Sequence, residues 1–95
     1  MPRFGDMKTP YLEVTFRRGK PLAAYLYLPR RPGDKSARTE KIEQGMVVDY
    51  AADGRPIGIE FTSVEGIRLE AVNRVLAAAD EEAATPADLL PLGVA

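Results

Sequence analysis

Three stretches of the chain have a large apolar residue at every second position, which is the periodicity of a β-strand. They are residues 11–17, 46–50 and 57–62. The second and third are separated by a short segment that contains Asp53-Gly54, a pair typical of a hairpin turn. Because successive side chains of a strand point to opposite faces, the pattern requires a sheet with one apolar face that another element covers.

A fourth stretch, residues 22–28, is apolar on both faces. It follows the short turn 18–21, so it should return antiparallel to the first strand. A strand of this kind usually lies at the centre of a sheet or beneath a partner surface. A single helix covers only one face, so Tyr25 and Tyr27, together with Tyr11 of the first strand, need another cover. We expect that cover to be the C-terminal tail, a second copy of the chain or a different protein.

One register of the hairpin keeps all its large apolar residues on one face. It pairs Tyr50 with Ile57, Val48 with Ile59 and Met46 with Phe61. A shift of one residue would mix the two faces. Gly58 then lies in mid-strand on the opposite face, where glycine weakens a strand. We therefore expect a bulge there, or the close approach of another group such as the side chain of Tyr25.

The period changes from about Gly66 to three or four residues, which predicts an amphipathic helix over residues 67–82. Residues 85–88, Thr-Pro-Ala-Asp, have the pattern of a helix N-terminus, with threonine as the N-cap and proline at N1. They predict a short helical turn and tail over residues 85–95. Residues 37–43 alternate weakly and predict a polar, exposed strand.

The fold class expected from these elements is α+β. We predict a four- to five-stranded antiparallel β-meander over residues 11–62, with one long C-terminal amphipathic helix packed on one face. The length of 95 residues is that of a single domain, 1–95. We expect residues 1–8 to be flexible. They lack the apolar stretch of a secretory signal, and no window is long enough to span a membrane, so we expect a cytoplasmic protein without membrane contact.

The chain contains no cysteine and no histidine. Disulfides, thiolate metal sites and Ser-His-Asp triads are therefore excluded. An enzyme of this composition would rely on carboxylates, lysine, tyrosine or hydroxyl groups. We expect no cofactor and no bound metal, and the composition favours a protein that is not an enzyme.

The strongest polar candidate is a pair of carboxylates, Asp49 and Glu60. In the expected register they are diagonal neighbours, about 7–8 Å apart. Carboxylates at this spacing bind divalent cations or divide acid and base roles. The alternative is a structural role on a solvent-exposed face, with Asp49 capping the turn and Glu60 paired with Arg55 or Lys41.

Charge is distributed unevenly along the chain. Residues 17–41 contain eight basic and two acidic residues, a net charge of +6, whereas residues 42–95 contain three basic and ten acidic residues, a net charge of −7. The candidate basic patch within the 30–41 stretch consists of Arg30, Arg31, Lys35 and Arg38. Glutamates interrupt this stretch and the pI is near 5.4, so a solvated loop or an acidic protein partner fits it better than nucleic acid.

The hairpin resembles a widespread family of short bacterial proteins that is catalogued as a domain of unknown function. The similar residues are Gly45-Met46-Val47-Val48-Asp49-Tyr50, Asp53-Gly54-Arg55 and Ile57-Gly58-Ile59-Glu60-Phe61. Residues 24–28, Ala-Tyr-Leu-Tyr-Leu, are similar to an earlier strand of the family, so the match spans about residues 22–64. Ala23 and Ala51 stand where family members often carry acids. The resemblance implies a fold and no particular activity.

Our leading functional prediction is a non-enzymatic protein-interaction module. It would act as a homodimer, or as the small partner of another protein in the way an antitoxin partners its toxin. The second prediction is a small carboxylate- or metal-dependent enzyme that uses Asp49 and Glu60. The third is a nucleic-acid-binding regulator that uses the 30–41 stretch.

Overall fold

The computed structural model describes residues 11–43 and 45–92. The α+β class and the five-stranded antiparallel sheet are confirmed. The elements are β1 (Tyr11–Arg17), β2 (Lys20–Tyr27), β3 (Arg38–Glu43), β4 (Met46–Tyr50), β5 (Pro56–Phe61), α1 (Leu69–Ala78) and a 3₁₀ helix (Pro86–Leu92). The expected flexible segment 1–8 and the end of the 85–95 tail lie outside the described residues.

The strand order is β1-β2-β5-β4-β3, so the sheet is not the simple meander that we predicted. In a meander β2 would lie beside β3, but here it pairs with β5. Burial explains the difference. The two-sided apolar strand β2 and the apolar strand β5 occupy central positions, whereas β3 remains at an edge, where Arg38, Glu40 and Lys41 are exposed.

The expected hairpin register is confirmed at two of its three pairs and is wrong at the third. Met46 pairs with Phe61 and Val48 with Ile59, but Tyr50 pairs with Pro56 rather than with Ile57. The register shifts between residues 49 and 50, where the strand enters the turn. The turn closes with a hydrogen bond of 2.9 Å from the amide of residue 51 to the carbonyl of residue 55.

The core lies between the sheet and the C-terminal elements. We call this side of the sheet its helix-side face and the opposite side its outer face. From the sheet the core contains Ala24, Leu26, Leu28, Met46, Val48, Ile59 and Phe61. From α1 and the 3₁₀ helix it contains Ala71, Val72, Val75, Leu76, Leu89 and Leu92. All are less than 9% exposed, so the helical residues cover this one face of the sheet.

A side-chain amide holds the 3₁₀ helix in place. Asn73 of α1 donates to the carbonyl of Ala84 at 3.2 Å and accepts from the Ala84 amide at 2.7 Å. The predicted cap of the next turn is also present, since Thr85 and Asp88 exchange hydrogen bonds between their side chains and backbone amides. None of the helices in the described residues is long and apolar enough to cross a membrane.

The helix is shorter than predicted, because α1 begins at Leu69 and ends at Ala78 instead of spanning residues 67–82. Asp80 ends it by adopting a left-handed conformation with φ of 59°. The amide of Asp80 donates to the carbonyl of Ala77 at 3.1 Å, and that of Glu81 to Leu76 at 2.8 Å. These two bonds define a Schellman motif, in which glycine is the usual left-handed residue. An aspartate there gives little signal in the sequence.

We expect Asp80→Gly to stabilise the protein by about 0.5–1 kcal/mol, because glycine adopts the left-handed conformation without steric cost. The change also removes a carboxylate from the negative end of the helix dipole. Urea unfolding measures the difference, and Asp80→Asn is the control that removes only the charge. A lower stability of Asp80→Gly than of the unaltered protein would contradict this assignment of the helix end.

Candidate functional site

The outer face of the sheet is organised by one side chain that crosses a strand. Tyr25 belongs to β2 and Asp49 to β4, and β5 lies between these two strands. The hydroxyl of Tyr25 donates a hydrogen bond to Oδ2 of Asp49 at 2.5 Å. It passes over Gly58 of β5, where a Cβ atom would lie 2.0 Å from the hydroxyl oxygen. The expected close approach of Tyr25 to Gly58 is therefore confirmed.

Arg30 completes the environment of the Tyr25 hydroxyl. Its Nη2 donates to that oxygen at 3.2 Å, and its Nε and Nη2 donate to the carbonyl of Ile57 at 3.2 and 3.1 Å. The guanidinium also lies 5.2 Å from the ring centroid of Tyr27. Arg30 thus fastens the loop that follows β2 onto the outer face.

Both carboxylate oxygens of Asp49 accept hydrogen bonds. Oδ2 accepts from Tyr25, and Oδ1 accepts from the Ser36 hydroxyl at 3.1 Å. Burial, followed by the hydrogen bond to Asp49, raises the pKa of Tyr25 well above its ordinary value. The tyrosine therefore remains a neutral hydrogen-bond donor to the carboxylate at ordinary pH. The partners of Asp49 are Tyr25 and Ser36, so it does not have the turn-capping role of the alternative interpretation.

The three tyrosines of the predicted interface come together as a row. The ring centroids of Tyr11 and Tyr27 are 5.7 Å apart, and those of Tyr25 and Tyr27 are 4.6 Å apart. All three are partly buried. Burial, followed by the negative charge of Glu13, raises the pKa of Tyr27. The rings and Arg30 cover one another, which the sequence analysis did not foresee.

The predicted carboxylate pair does not form a common site with other acids. Glu60 lies opposite Val47 on one neighbouring strand and opposite Tyr25 on the other, and it is exposed. Asp49 is instead engaged by Tyr25 and Ser36. Across residues 11–43 and 45–92 there is no group of three or more acidic side chains placed to hold a metal ion.

The four members of the predicted basic patch have different environments. Arg30 contacts the tyrosine row, whereas Arg38 lies 4.1 Å from the ring centroid of Tyr50 and bonds Glu40 at 2.7 Å. Arg31 and Lys35 are exposed. Two of the four cations are thus held by aromatic rings.

An ion-paired cluster fastens the 28–37 loop to the hairpin turn. Arg55 contacts Asp34 at 2.9 Å and Asp53 at 2.6 Å. The amide of Arg31, followed by Arg55, holds the pKa of Asp34 below its usual value, and Arg55 does the same for Asp53. Sequence reasoning missed this cluster because Asp34 lies 21 positions before Arg55. Arg55 is consequently not the partner of Glu60.

An open groove of about 810 Å³ adjoins this cluster. Its lining comes from the start of the 28–37 loop, the turn between β4 and β5, and the end of α1. Arg30 and Arg55 belong to the lining, but their guanidinium groups are already bonded within the protein. The acids Asp53, Asp80 and Glu81 also line the groove, so its lining carries both positive and negative charges.

The two edges of the sheet differ in character. At one edge, four of the six residues of β3 are charged. At the other edge, β1 alternates regularly and has no lysine or proline. Among the described residues, β1 pairs with β2 alone. We call the unpaired side of Tyr11–Arg17 the β1 edge.

Two large apolar side chains are exposed beside the β1 edge. Phe16 is 56% exposed and Leu22, on β2, is 53% exposed. A register shift places Phe16 opposite Pro21 and leaves Leu22 unpaired. The α-helix and the 3₁₀ helix leave this end of the β1–β2 hairpin uncovered on the helix-side face. It is an apolar surface next to an unpaired strand, which is typical of a contact site.

Comparisons with known proteins give a family match for part of the chain. The model of a family described as "Protein of unknown function (DUF2283)" matches residues 23–64. This segment begins within β2 and ends just after β5, so it includes the Tyr25, Gly58 and Asp49 arrangement and excludes β1 and the helices. Neither the curated proteins nor the solved structures gave a match.

We expect Gly58→Ala to destabilise the protein by about 2–3 kcal/mol, because the new methyl group displaces Tyr25 and breaks its hydrogen bond to a charged partner. In a Tyr25→Ala background the methyl group meets no ring. The same change should then cost little, since alanine suits a strand interior at least as well as glycine. Urea unfolding of the four proteins measures the coupling. An equal cost in both backgrounds would contradict the crossing of Tyr25 over Gly58.

Proposed function

We propose that this protein is a non-enzymatic protein-interaction module that binds another polypeptide chain along the β1 edge. The bound chain is either a second copy or a larger protein of which this chain is the small partner, as an antitoxin is to its toxin. The single observation that carries the proposal is the contrast between the two edge strands.

An unpaired edge strand exposes a row of backbone donors and acceptors, and monomeric proteins usually protect such edges with charge, proline or bulges. The β3 edge has this protection, because four of its six residues are charged. The β1 edge has two charged residues among seven, Glu13 and Arg17, and no proline. Strand addition to the β1 edge would satisfy the row of backbone groups.

The exposed apolar side chains support the same location. Phe16 and Leu22 flank the edge, and each leaves more than half of its surface in water. A strand added to the edge would bring its own side chains against Phe16. The tyrosine row, by contrast, already has contacts within the protein, so it has less surface left to offer a partner.

The state of the outer-face polar groups supports a binding role over a catalytic one. A catalytic carboxylate must come within hydrogen-bond distance of a substrate proton, whereas a structural carboxylate bonds groups of its own chain. Both oxygens of Asp49 accept hydrogen bonds from within the chain, and the Tyr25 hydroxyl is shared between Asp49 and Arg30. These bonds brace β2, β5 and β4 against one another.

The test places the same new charge on each edge in turn. Thr15 of β1 and Thr39 of β3 are both exposed, so a lysine at either position leaves the monomer folded. Lysine on an edge strand opposes the addition of another strand. We expect native mass spectrometry of tagged protein purified from its own cells to find a complex of fixed stoichiometry. Thr15→Lys should abolish that complex and Thr39→Lys should retain it.

A bare monomer from the unaltered protein would contradict the proposal. So would a complex that survives Thr15→Lys, because its contact surface would then lie away from the β1 edge. Far-ultraviolet circular dichroism of both variants confirms that any loss of assembly is not a loss of fold.

A further inference from the structure

We infer that the chain bound at the β1 edge is β1 of a second copy, paired antiparallel about a twofold axis that passes between the two Thr15 residues. This inference rests on the proposed function and names its partner. It makes one continuous sheet of ten strands, since each copy contributes five. Symmetry, charge and apolar contact each support this pairing.

Symmetry restricts the possible registers. Two identical edge strands that pair antiparallel in one sheet are related by a twofold axis perpendicular to that sheet. Such an axis keeps both copies' helices on the same face, so outer-face residues of one β1 oppose outer-face residues of the other. One residue of β1 must therefore face its own copy across the axis. Within the strand this residue is one of positions 11–17.

Charge selects among these positions. With Thr15 on the axis, Glu13 lies directly opposite Arg17 of the second copy, and the symmetry makes two such ion pairs. With the axis at Glu13, two carboxylates would face each other, which is unfavourable. With the axis at Val14, Glu13 would face Thr15 and its charge would have no opposite partner. Within the described part of the chain Glu13 is a hydrogen-bond partner of Tyr27, and neither Glu13 nor Arg17 has an ion pair.

Apolar contact favours the same axis. On the helix-side face, Val14 then lies opposite Phe16 of the second copy. Val14 is partly buried and Phe16 is 56% exposed, so the pairing covers the larger exposed ring with an aliphatic neighbour. On the outer face the two Thr15 side chains meet at the axis, which is a favourable cross-strand pair. The register thus gives a suitable partner to each of positions 13–17 of β1.

The test uses charge reversal on purified protein. We expect analytical ultracentrifugation to find a dimer for the unaltered chain. Glu13→Arg places two arginine pairs at the interface, and Arg17→Glu places two glutamate pairs there, so each variant alone should dimerise at least about tenfold more weakly. An equal mixture of the two variants restores both attractive pairs, because each reversed residue meets the reversed residue of the other chain. The mixture should therefore form a heterodimer.

The control is Glu60→Arg, which reverses an exposed carboxylate on the same outer face but on a central strand. It should leave the dimer unchanged. Separate monomers in the equal mixture, or full dimerisation of Glu13→Arg alone, would overturn the Thr15 axis. The purified chain could instead be monomeric while Thr15→Lys abolishes a complex with a different protein. That result would overturn the second copy as the partner and leave the proposed function standing.

Discussion

The hydrogen bond from Tyr25 to Asp49 is the interaction on which the rest of the outer face depends. It joins β2 to β4 across the strand between them, and it is possible only because residue 58 is glycine. The same tyrosine accepts from Arg30, and the same aspartate accepts from Ser36, so both ends of the 28–37 loop are fastened to the sheet. That loop carries the chain from a central strand to the far edge.

This bracing explains where the protein can offer a binding surface. The helix-side face is covered by α1 and the 3₁₀ helix, and the outer face has its polar and aromatic groups engaged with one another. The remaining apolar surface lies at the β1–β2 hairpin, beside an edge strand with fewer charged residues than β3. The family match covers the braced centre of the sheet and stops short of β1, so the proposed contact belongs to a part of this chain outside the matched segment.

Local pattern predicted much of the fold. The period-two alternation placed the strands, and the preference for one apolar face gave the central pairs of the hairpin, as Val48 opposite Ile59 shows. A glycine in mid-strand next to a strand with tyrosines indicated the contact between Tyr25 and Gly58. The errors concern the strand order and the end of α1, which a short stretch of sequence does not determine. The strand order follows from which strands need burial on both faces, and α1 ends at Asp80 through a left-handed conformation that aspartate seldom signals.

The candidate site was predictable only in part, for the same reason. The tyrosines share a face by their spacing, so their proximity could be predicted, but the long-range partners could not. The contacts from Arg30 to the Ile57 carbonyl and from Arg55 to Asp34 join residues more than 20 positions apart, and each depends on how a loop folds. The contrast between the two edges became recognisable only once the strand order showed that β3, rather than β5, lies at the edge opposite β1.

The measurement that tests the central claim most directly is disulfide formation by a single introduced cysteine. The chain has no cysteine of its own, so Thr15→Cys provides one thiol per copy, with Thr39→Cys as the matched variant on the other edge. Residues directly opposed in an antiparallel pair have Cα atoms about 4.5–5.5 Å apart, which suits a disulfide. Under mild oxidation we expect rapid conversion of Thr15→Cys to a covalent dimer and slow conversion of Thr39→Cys. Equal, slow oxidation of the two variants would contradict the pairing of β1 with its own copy.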